Sequence, residues 1–198
     1  KSAHTTPESP DLQRTFSRMR DASCDVVAME VSSHALDLER TWGTRFAVTA
    51  FTNLTQDHLD YHHTFEAYFE AKARLFSKDY PAKRVICIDD KWGRELLRRC
   101  SAAGDSVVTT GFDPSAQIHP GEVSYAPTHT SVELHVRGER IRFDYPLVGR
   151  FNVSNIMNAF GIALQLGIPA DLIVQALSEA PQVPGRLERV HAAHDGGV

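Results

Sequence analysis

The chain has 198 residues, of which 42% are hydrophobic and 9% aromatic, and its formal net charge is −4. These values are typical of a globular chain long enough for one domain, or for a domain with a small appendage. Basic and acidic residues are mixed along the chain, which argues against a nucleic-acid-binding surface. Since no run of about 18 apolar residues occurs, we expect neither a membrane-spanning helix nor membrane insertion.

The cysteines give an indication of the cellular compartment. Cys24, Cys87 and Cys100 show no CxxC spacing, and their number is odd. Cys24 and Cys87 lie in apolar runs. We interpret all three as reduced thiols in the core, and we therefore expect a cytoplasmic protein.

The first half of the chain alternates apolar runs of strand length with helical patterns. Strands are predicted over residues 26–29, 46–51, 84–88 and 106–109, and helices over residues 10–22, 65–78 and 91–103. Buried strands that alternate with helices indicate a parallel sheet in an α/β fold.

The second half begins with a different pattern. Residues 131–136 and 140–145 alternate apolar and polar side chains, and Arg137-Gly138-Glu139 joins them as a hairpin loop would. We expect a small antiparallel sheet over about 115–148. A helix follows over about 152–166, where Gly167 is typical of a helix C-cap, and another begins near Ala170 and ends before Pro181. The predicted fold class is α/β, a mostly parallel sheet flanked by helices with a small antiparallel subsheet.

Polar residues follow the predicted strands, and ligands of open α/β sheets bind beyond the carboxyl ends of strands. Asp89 and Asp90 follow the third strand, where a ligand role and a helix-capping role remain equally open. Glu30 follows the first strand directly. A carboxylate at the edge of a buried strand requires a partner or a cation, so Glu30 is a candidate cation ligand.

A cluster of histidines precedes the helix predicted from residue 65. His58 and His62 are four residues apart and His63 is adjacent, which raises the possibility of zinc. No HExxH motif surrounds them, however, and Thr64 is a plausible N-cap that places them before the helix. A zinc site is therefore the less favoured interpretation.

Lys72 lies inside that helix on its apolar side. Tyr68 and Phe69 precede it by four and three residues, and Leu75 and Phe76 follow it by three and four. These spacings place Lys72 on the face that points toward the interior. Such a lysine either extends along apolar surface to reach water, or is buried, with a lowered pKa and a nucleophilic amine that can form a carbamate with carbon dioxide.

Five motifs in order along the chain carry a family resemblance. They are TTPESPDLQ from Thr5, MEVSSHAL from Met29, FTNLTQDHLDYHHTFEAYFEAKARLF from Phe51, GRFNVSN from Gly149 and PGRLERV from Pro184. With these motifs the chain resembles the Mur ligases, and specifically their E type. The resemblance implies the P-loop NTPase-like central domain of an ATP-dependent ligase that adds the third amino acid to UDP-MurNAc-dipeptide in peptidoglycan synthesis.

The resemblance also assigns roles to individual residues. It implies magnesium ligands at Glu30, His58 and Lys72, with Lys72 carbamylated and with both His58 and Lys72 catalytic. It implies UDP-MurNAc-peptide contacts at Thr5, Thr6, Ser32 and Arg40, and ATP contacts at Asn152, Asn155 and Arg186. For Asn152 an N-cap role remains nearly as plausible.

The motifs also suggest how the domains are arranged. No GxxxxGK[ST] phosphate loop occurs in the chain. We expect residues 1–190 to be a central ATPase domain without that loop, and residues 191–198 to begin a linker or C-terminal domain. That missing domain would bind the amino acid, meso-diaminopimelate or lysine, so the fragment alone is expected to be inactive.

Three other functions are compatible with some of these residues. A folylpolyglutamate-synthase-like ligase shares the Asp-His and the downstream lysine, but TTPES and EVSSHAL argue against it. A zinc hydrolase would use His58, His62 and His63. A non-catalytic module derived from a ligase is the remaining alternative.

Overall fold

The computed structural model describes residues 5–55 and 59–181. The helices are α1 (Ser9–Asp21), α2 (Ser33–Asp37), α3 (Leu59–His62), α4 (Phe65–Ala73), α5 (Lys91–Ala102), α6 (Arg150–Leu166) and α7 (Ala170–Ser178), and a 3-10 turn, Arg74–Phe76, follows α4. The strands are β1 (Val48–Phe51), β2 (Lys83–Cys87), β3 (Val107–Thr110), β4 (Ile118–Tyr125), β5 (Thr130–Val136) and β6 (Glu139–Tyr145). The chain divides into two compact units, residues 1–108 and 109–198.

The first unit is built on parallel strands, as predicted. Strand β1 pairs with β2 in parallel, with Val48 opposite Lys83. The connection between them carries α3 and α4, since a parallel pair requires a crossover rather than a hairpin. Val85 and Ile86 of β2 are fully buried. The apolar run of β2 is continuous, as is typical of a strand that is covered on both faces.

The strand predicted over residues 26–29 is wrong. These residues form no strand, and Val26 and Val27 are 71% and 41% exposed. An apolar run forms a sheet strand only when another strand pairs with it, and the described residues supply none here. Cys24 is also exposed, so its assignment to the core is wrong, whereas Cys87 and Cys100 are buried free thiols whose pKa burial raises.

The second unit is built mainly on antiparallel strands. The strand order is β1-β2-β3-β4-β5-β6. Strand β3 meets β4 in parallel at Thr110 and Ile118, and β4, β5 and β6 then pair antiparallel. The β5–β6 turn is one residue shorter than predicted. Its two residues, Arg137 and Gly138, have φ of +51° and +93°, which suits a tight hairpin turn. The predicted α/β class with a small antiparallel part is confirmed.

The last two helices follow the predicted pattern. Helix α6 begins two residues earlier than predicted and ends at Leu166 as predicted, and Gly167, with a φ of +85°, is its left-handed C-cap. Helix α7 packs against β6 and α6. Within the part of the chain that the structure describes, no helix is long and apolar enough to cross a membrane.

Candidate functional site

Thr6 brings together four residues of the predicted site. Its side chain is buried, at 1% exposure, and Oγ1 donates to the Glu30 carbonyl at 3.0 Å and accepts from the Ser32 amide at 3.1 Å. Its own carbonyl accepts from Arg40 Nη1 at 3.1 Å. Thr6 therefore fixes the backbone that presents Glu30 and Ser32. Thr5, beside it, is exposed.

Arg40 is held by the protein itself. Its Nη2 pairs with Glu8 Oε1 at 2.7 Å, and its side chain is only 12% exposed. The Arg40 Nε is buried and has no hydrogen-bond partner among the described residues. Glu8 was not among the predicted site residues, although it lies inside the TTPES motif. The ion pair orients the guanidinium without using all of its donors.

Glu30 lies in a different environment from the one predicted. It is exposed and follows no strand, so its placement at the edge of a buried strand is wrong. Its backbone is nevertheless held by Thr6, which leaves the carboxylate in an accessible position. Ser32 Oγ accepts from the Ala35 amide at 3.2 Å and caps α2. A substrate contact by this hydroxyl would therefore have to be made in addition to the capping hydrogen bond.

Lys72 is half-buried at the edge of the apolar face of α4. Its Nζ lies 5.3 Å from the centroid of the Tyr68 ring. Tyr68 and Phe69, which precede Lys72 on the same face, are buried, as the helical spacing predicted. Thr64 caps α4, also as predicted, since its side chain accepts from the Ala67 amide. His58 lies outside the described residues.

The donor set suits magnesium in part. Magnesium prefers oxygen ligands, and the exposed Glu30 carboxylate supplies them. An unmodified Lys72 amine supplies no oxygen, whereas a carbamate on the same nitrogen would. Across residues 5–55 and 59–181, no group of three or more His, Cys, Asp or Glu side chains is placed to hold a metal.

Of the histidines considered for zinc, the structure describes His62 and His63, and neither lies in a metal-binding cluster of described residues. His62 is buried, and its Nε2 is hydrogen-bonded to Ser33 Oγ at 2.8 Å. The His62 ring stacks on Tyr68 with centroids 5.2 Å apart. His63 is exposed and adopts a φ of +64°. The contact between His62 and Ser33 was missed because the two residues are far apart in sequence.

An open cleft of about 640 Å³ lies beside these helices. It is lined by Asp37, Tyr61, His62, Ala67, Glu70, Ala71 and Arg74. Tyr61 donates to Asp37 at 2.8 Å, and this hydrogen bond raises the pKa of Tyr61, while the Arg99 guanidinium lowers the pKa of Glu70. None of the described residues with a predicted magnesium, substrate or ATP contact lines the cleft, whereas His62, named only for the zinc alternative, does.

The predicted ATP contacts of the second unit lie at the start of α6. Asn155 Nδ2 donates to Asn152 Oδ1 at 3.3 Å, so the two asparagines are adjacent, as their spacing predicted. The N-cap of α6 is Gly149, and Asn152 instead donates to the Val148 carbonyl at 3.0 Å. The N-cap alternative for Asn152 is therefore wrong. Arg186 lies outside the described residues.

The capping alternative for the Asp89-Asp90 pair is correct for Asp90. Its Oδ1 accepts from the Gly93 amide at 2.7 Å and caps α5. Its Oδ2 accepts from the Leu54 amide at 3.0 Å, which ties the end of β1 to the start of α5. Asp90 therefore has a structural role.

Comparison with known families identifies the family of the chain. A family model described as the Mur ligase middle domain matches residues 1–163. The chain belongs to the Mur ligase family. A UDP-N-acetylmuramoyl-L-alanyl-D-glutamate--2,6-diaminopimelate ligase from Gloeobacter violaceus is 45% identical to it over 193 residues, which are 97% of this chain and 39% of that protein.

Solved structures place the Mur ligase chain among similar folds. A structure of a UDP-N-acetylmuramoyl-L-alanyl-D-glutamate--2,6-diaminopimelate ligase matches it with a TM-score of 0.86 at 28% identity, over 96% of this chain and 39% of that chain. An FPGS–AMPPCP complex matches with a TM-score of 0.62 at 16% identity, over 92% of this chain and 51% of that one. The second likeness shows the fold alone. The chain thus spans about 39% of the length of the ligases named here.

Proposed function

We propose that this chain is the central domain of an ATP-dependent amide ligase that joins 2,6-diaminopimelate to UDP-N-acetylmuramoyl-L-alanyl-D-glutamate. The observation that carries the proposal is the 45% identity, over 97% of the chain, to a ligase of that name. The proposed whole protein would supply the phosphate loop and the amino-acid site from residues outside this sequence. The boundaries at residues 1–190 and 191–198 stay predictions.

The proposed reaction has two steps. An oxygen of the peptide carboxylate attacks the γ-phosphorus of ATP, the bond to the β-phosphate oxygen breaks, and ADP leaves. The amino group of diaminopimelate then attacks the acyl carbon, loses a proton, and expels inorganic phosphate to leave an amide. The carboxylate is thereby activated at the expense of one ATP, which is converted overall to ADP and a phosphate that carries one carboxylate oxygen.

The residues of the first unit would hold magnesium and the peptide substrate. Glu30, His58 and a carbamylated Lys72 are the proposed magnesium ligands. Magnesium, when bound, would neutralise the negative charge of the ATP phosphates during phosphoryl transfer. Thr5 and Ser32 would hydrogen-bond the UDP-MurNAc-peptide.

Arg40 and Thr6 would act together on the same substrate. The buried Arg40 Nε has no protein partner among the described residues, and a guanidinium suits anionic groups because its donors form a planar fork. Thr6 fixes the Arg40 guanidinium through its carbonyl, so its proposed contribution to substrate binding includes orienting Arg40. In the second unit, Asn152 and Asn155 would contact the nucleoside part of ATP, and Arg186 would contact its phosphates.

The proposal is tested with the full-length protein that carries this chain. The purified protein is incubated with UDP-MurNAc-dipeptide, ATP and magnesium, and with diaminopimelate, lysine or no amino acid. We expect one ADP per amide and a product with the mass of the diaminopimelate adduct. A product formed with lysine in preference to diaminopimelate would contradict the proposed amino acid, and glutamate addition to a folate would support the folylpolyglutamate alternative.

The proposed role of Lys72 has its own matched control. Lys72→Ala removes the nitrogen that would carry the carbamate, whereas Lys78→Ala removes an exposed lysine just after the same helix. We expect Lys72→Ala to abolish ligation and Lys78→Ala to keep it. Normal activity of Lys72→Ala would refute the carbamate role.

A further inference from the structure

A continuous series of contacts joins α2 to Lys72 in the first unit. Ser33 Oγ and His62 Nε2 are hydrogen-bonded at 2.8 Å, and both side chains are buried. The His62 ring stacks on Tyr68 with an interplanar angle of 18°. Lys72 also contacts the Tyr68 ring, with its Nζ 5.3 Å from the ring centroid.

This series links the two segments that carry the proposed site. Ser33 directly follows Ser32, whose backbone is fixed by Thr6, and Lys72 lies one turn after Tyr68 on α4. A buried hydrogen bond and a stacked ring pair are rigid contacts, because breaking either leaves a polar group or an apolar surface without its partner. A displacement of His62 would therefore change the position of Ser32 relative to Lys72.

The Tyr68 ring also restricts the direction in which the Lys72 side chain extends. The face of an aromatic ring carries partial negative charge, so it attracts an ammonium group and repels an anion. The ring can hold the unmodified Lys72 amine, but a carbamate on that amine must turn away from the ring. The ring thus occupies one side of Lys72, and a carbamate would extend away from that side.

We propose that His62 and Tyr68 are positioning residues for Lys72, and that the hydrogen bond between His62 and Ser33 sets their place relative to Ser32. The inference rests on the proposed function, since it requires Lys72 to act in the ligation. It gives a role to a histidine that the sequence suggested only as a possible zinc ligand.

Two pairs of variants of the full-length protein separate the contacts. His62→Phe keeps an aromatic ring over Tyr68 and removes the hydrogen bond, whereas His62→Gln keeps a terminal amide for Ser33 and removes the ring. Tyr68→Phe keeps the ring face beneath Lys72, whereas Tyr68→Leu removes it. Each variant is assayed for kcat, for KM of ATP and of the peptide substrate, and for thermal unfolding.

We expect His62→Phe and Tyr68→Leu to lower kcat by about 10- to 100-fold, since misplacement of about 1 Å can cost that much. The KM of ATP should change less than about threefold, and Tyr68→Phe should keep most of the wild-type kcat. Ser33→Ala combined with His62→Phe should lower kcat no further than His62→Phe alone, because both changes remove the same hydrogen bond.

A spectroscopic measurement provides a readout that is independent of activity. With ¹³C-labelled bicarbonate, a Lys72 carbamate gives a ¹³C NMR signal that Lys72→Arg lacks. We expect Tyr68→Leu to shift or weaken this signal and Tyr68→Phe to leave it unchanged. The inference is overturned if Tyr68→Leu and His62→Phe keep the wild-type signal and a kcat within about twofold of wild type. It is equally overturned if kcat falls only in proportion to the loss of folded protein and the signal is unchanged.

The Lys72→Ala variant distinguishes this failure from failure of the proposed function. If Lys72→Ala is inactive while His62→Phe and Tyr68→Leu have wild-type rates and signals, only the positioning inference is wrong. If Lys72→Ala is fully active, the proposed role of Lys72 is wrong and the positioning inference falls with it.

Discussion

Thr6 connects three parts of the first unit through one buried side chain and its carbonyl. Thr6 is 1% exposed, and its hydroxyl makes two hydrogen bonds, to the Glu30 carbonyl and the Ser32 amide. Thr6→Val keeps the shape but leaves the Glu30 carbonyl and the Ser32 amide without this partner. We expect the free energy of unfolding to fall by about 1–3 kcal/mol, measured by urea denaturation.

The neighbouring residue is the control for that prediction. Thr5 is exposed, so Thr5→Val should change the free energy of unfolding by less than about 0.5 kcal/mol. If Thr6→Val were as stable as Thr5→Val, the two hydrogen bonds of Thr6 would contribute nothing to the fold.

Ionisation of Tyr145 makes the second unit less stable at alkaline pH. Its ring is 1% exposed, and burial raises the pKa of its hydroxyl from 10.0 to about 12. The unfolded chain therefore releases this proton at a lower pH than the folded chain. The contribution of Tyr145 to stability is complete below pH 10 and is lost as the pH rises from 10 to about 12.

The measurement is the free energy of unfolding as a function of pH. Between pH 10 and about 12, wild type should lose stability more steeply than Tyr145→Phe, which has no proton to release. Ultraviolet titration of the folded chain should show one tyrosine that ionises last. Identical slopes for the two proteins would contradict a raised pKa at Tyr145.

Some residue roles could be predicted because they depend on local spacing. Thr64 was identified as an N-cap, and Lys72 was placed on the apolar face of α4, because both depend on residues within one or two turns. The arrangement around Thr6 could not be predicted, since its hydroxyl contacts Glu30, 24 residues away, and its carbonyl contacts Arg40, 34 residues away. The predicted metal, substrate and ATP roles of all these residues stay predictions.

Helix α5 approaches β2 so closely that a glycine is needed at its start. A Cβ built on Gly93 would lie 1.8 Å from the Cys87 carbonyl oxygen, which belongs to the strand backbone. Gly93→Ala would favour the helix by its intrinsic propensity, by about 0.5–1 kcal/mol. The clash with the strand should outweigh this gain.

We therefore expect Gly93→Ala to lower the free energy of unfolding by about 1–3 kcal/mol, as overpacking does. Ser101→Ala, at an exposed position of the same helix, should be neutral or slightly stabilising. Urea denaturation of both variants measures the difference. A Gly93→Ala variant more stable than wild type would show that α5 can move away from β2 at little cost.

At the level of elements, a predicted strand was correct where a partner strand exists. The apolar runs that form β1, β2 and β3 were recognised because each is buried in a sheet. The run at residues 26–29 has the same composition but no pairing strand among the described residues, and composition alone cannot reveal this. The hairpin of β5 and β6 was predictable because alternation and Gly138 are both local signals.

At the scale of the whole molecule, the fold alone does not identify the reaction. The similarity to an FPGS structure shows that proteins of different names share it, whereas the named relative is 45% identical. The motifs that led to the family were visible in the sequence. The arrangement of the catalytic residues could not be derived in the same way. The chain spans only 39% of that relative, and the described residues leave out His58 and Arg186.

The 198-residue chain alone is expected to form no ligation product. Its sequence contains no GxxxxGK[ST] motif to bind the ATP phosphates. The assay is mass spectrometry of the reaction with UDP-MurNAc-dipeptide, diaminopimelate and ATP, with the full-length protein as the positive control. Product formed by the 198-residue chain in this assay would show that the chain is sufficient for catalysis.

The path of one oxygen atom tests the proposed ligation most directly. The full-length protein is given UDP-MurNAc-dipeptide with ¹⁸O in its carboxylates, together with diaminopimelate and ATP, and the phosphate released is analysed by mass spectrometry. An acyl phosphate intermediate predicts one ¹⁸O in each inorganic phosphate formed, one ADP and one new amide. Amide formation with unlabelled phosphate, or with the label in AMP, would contradict the proposed mechanism.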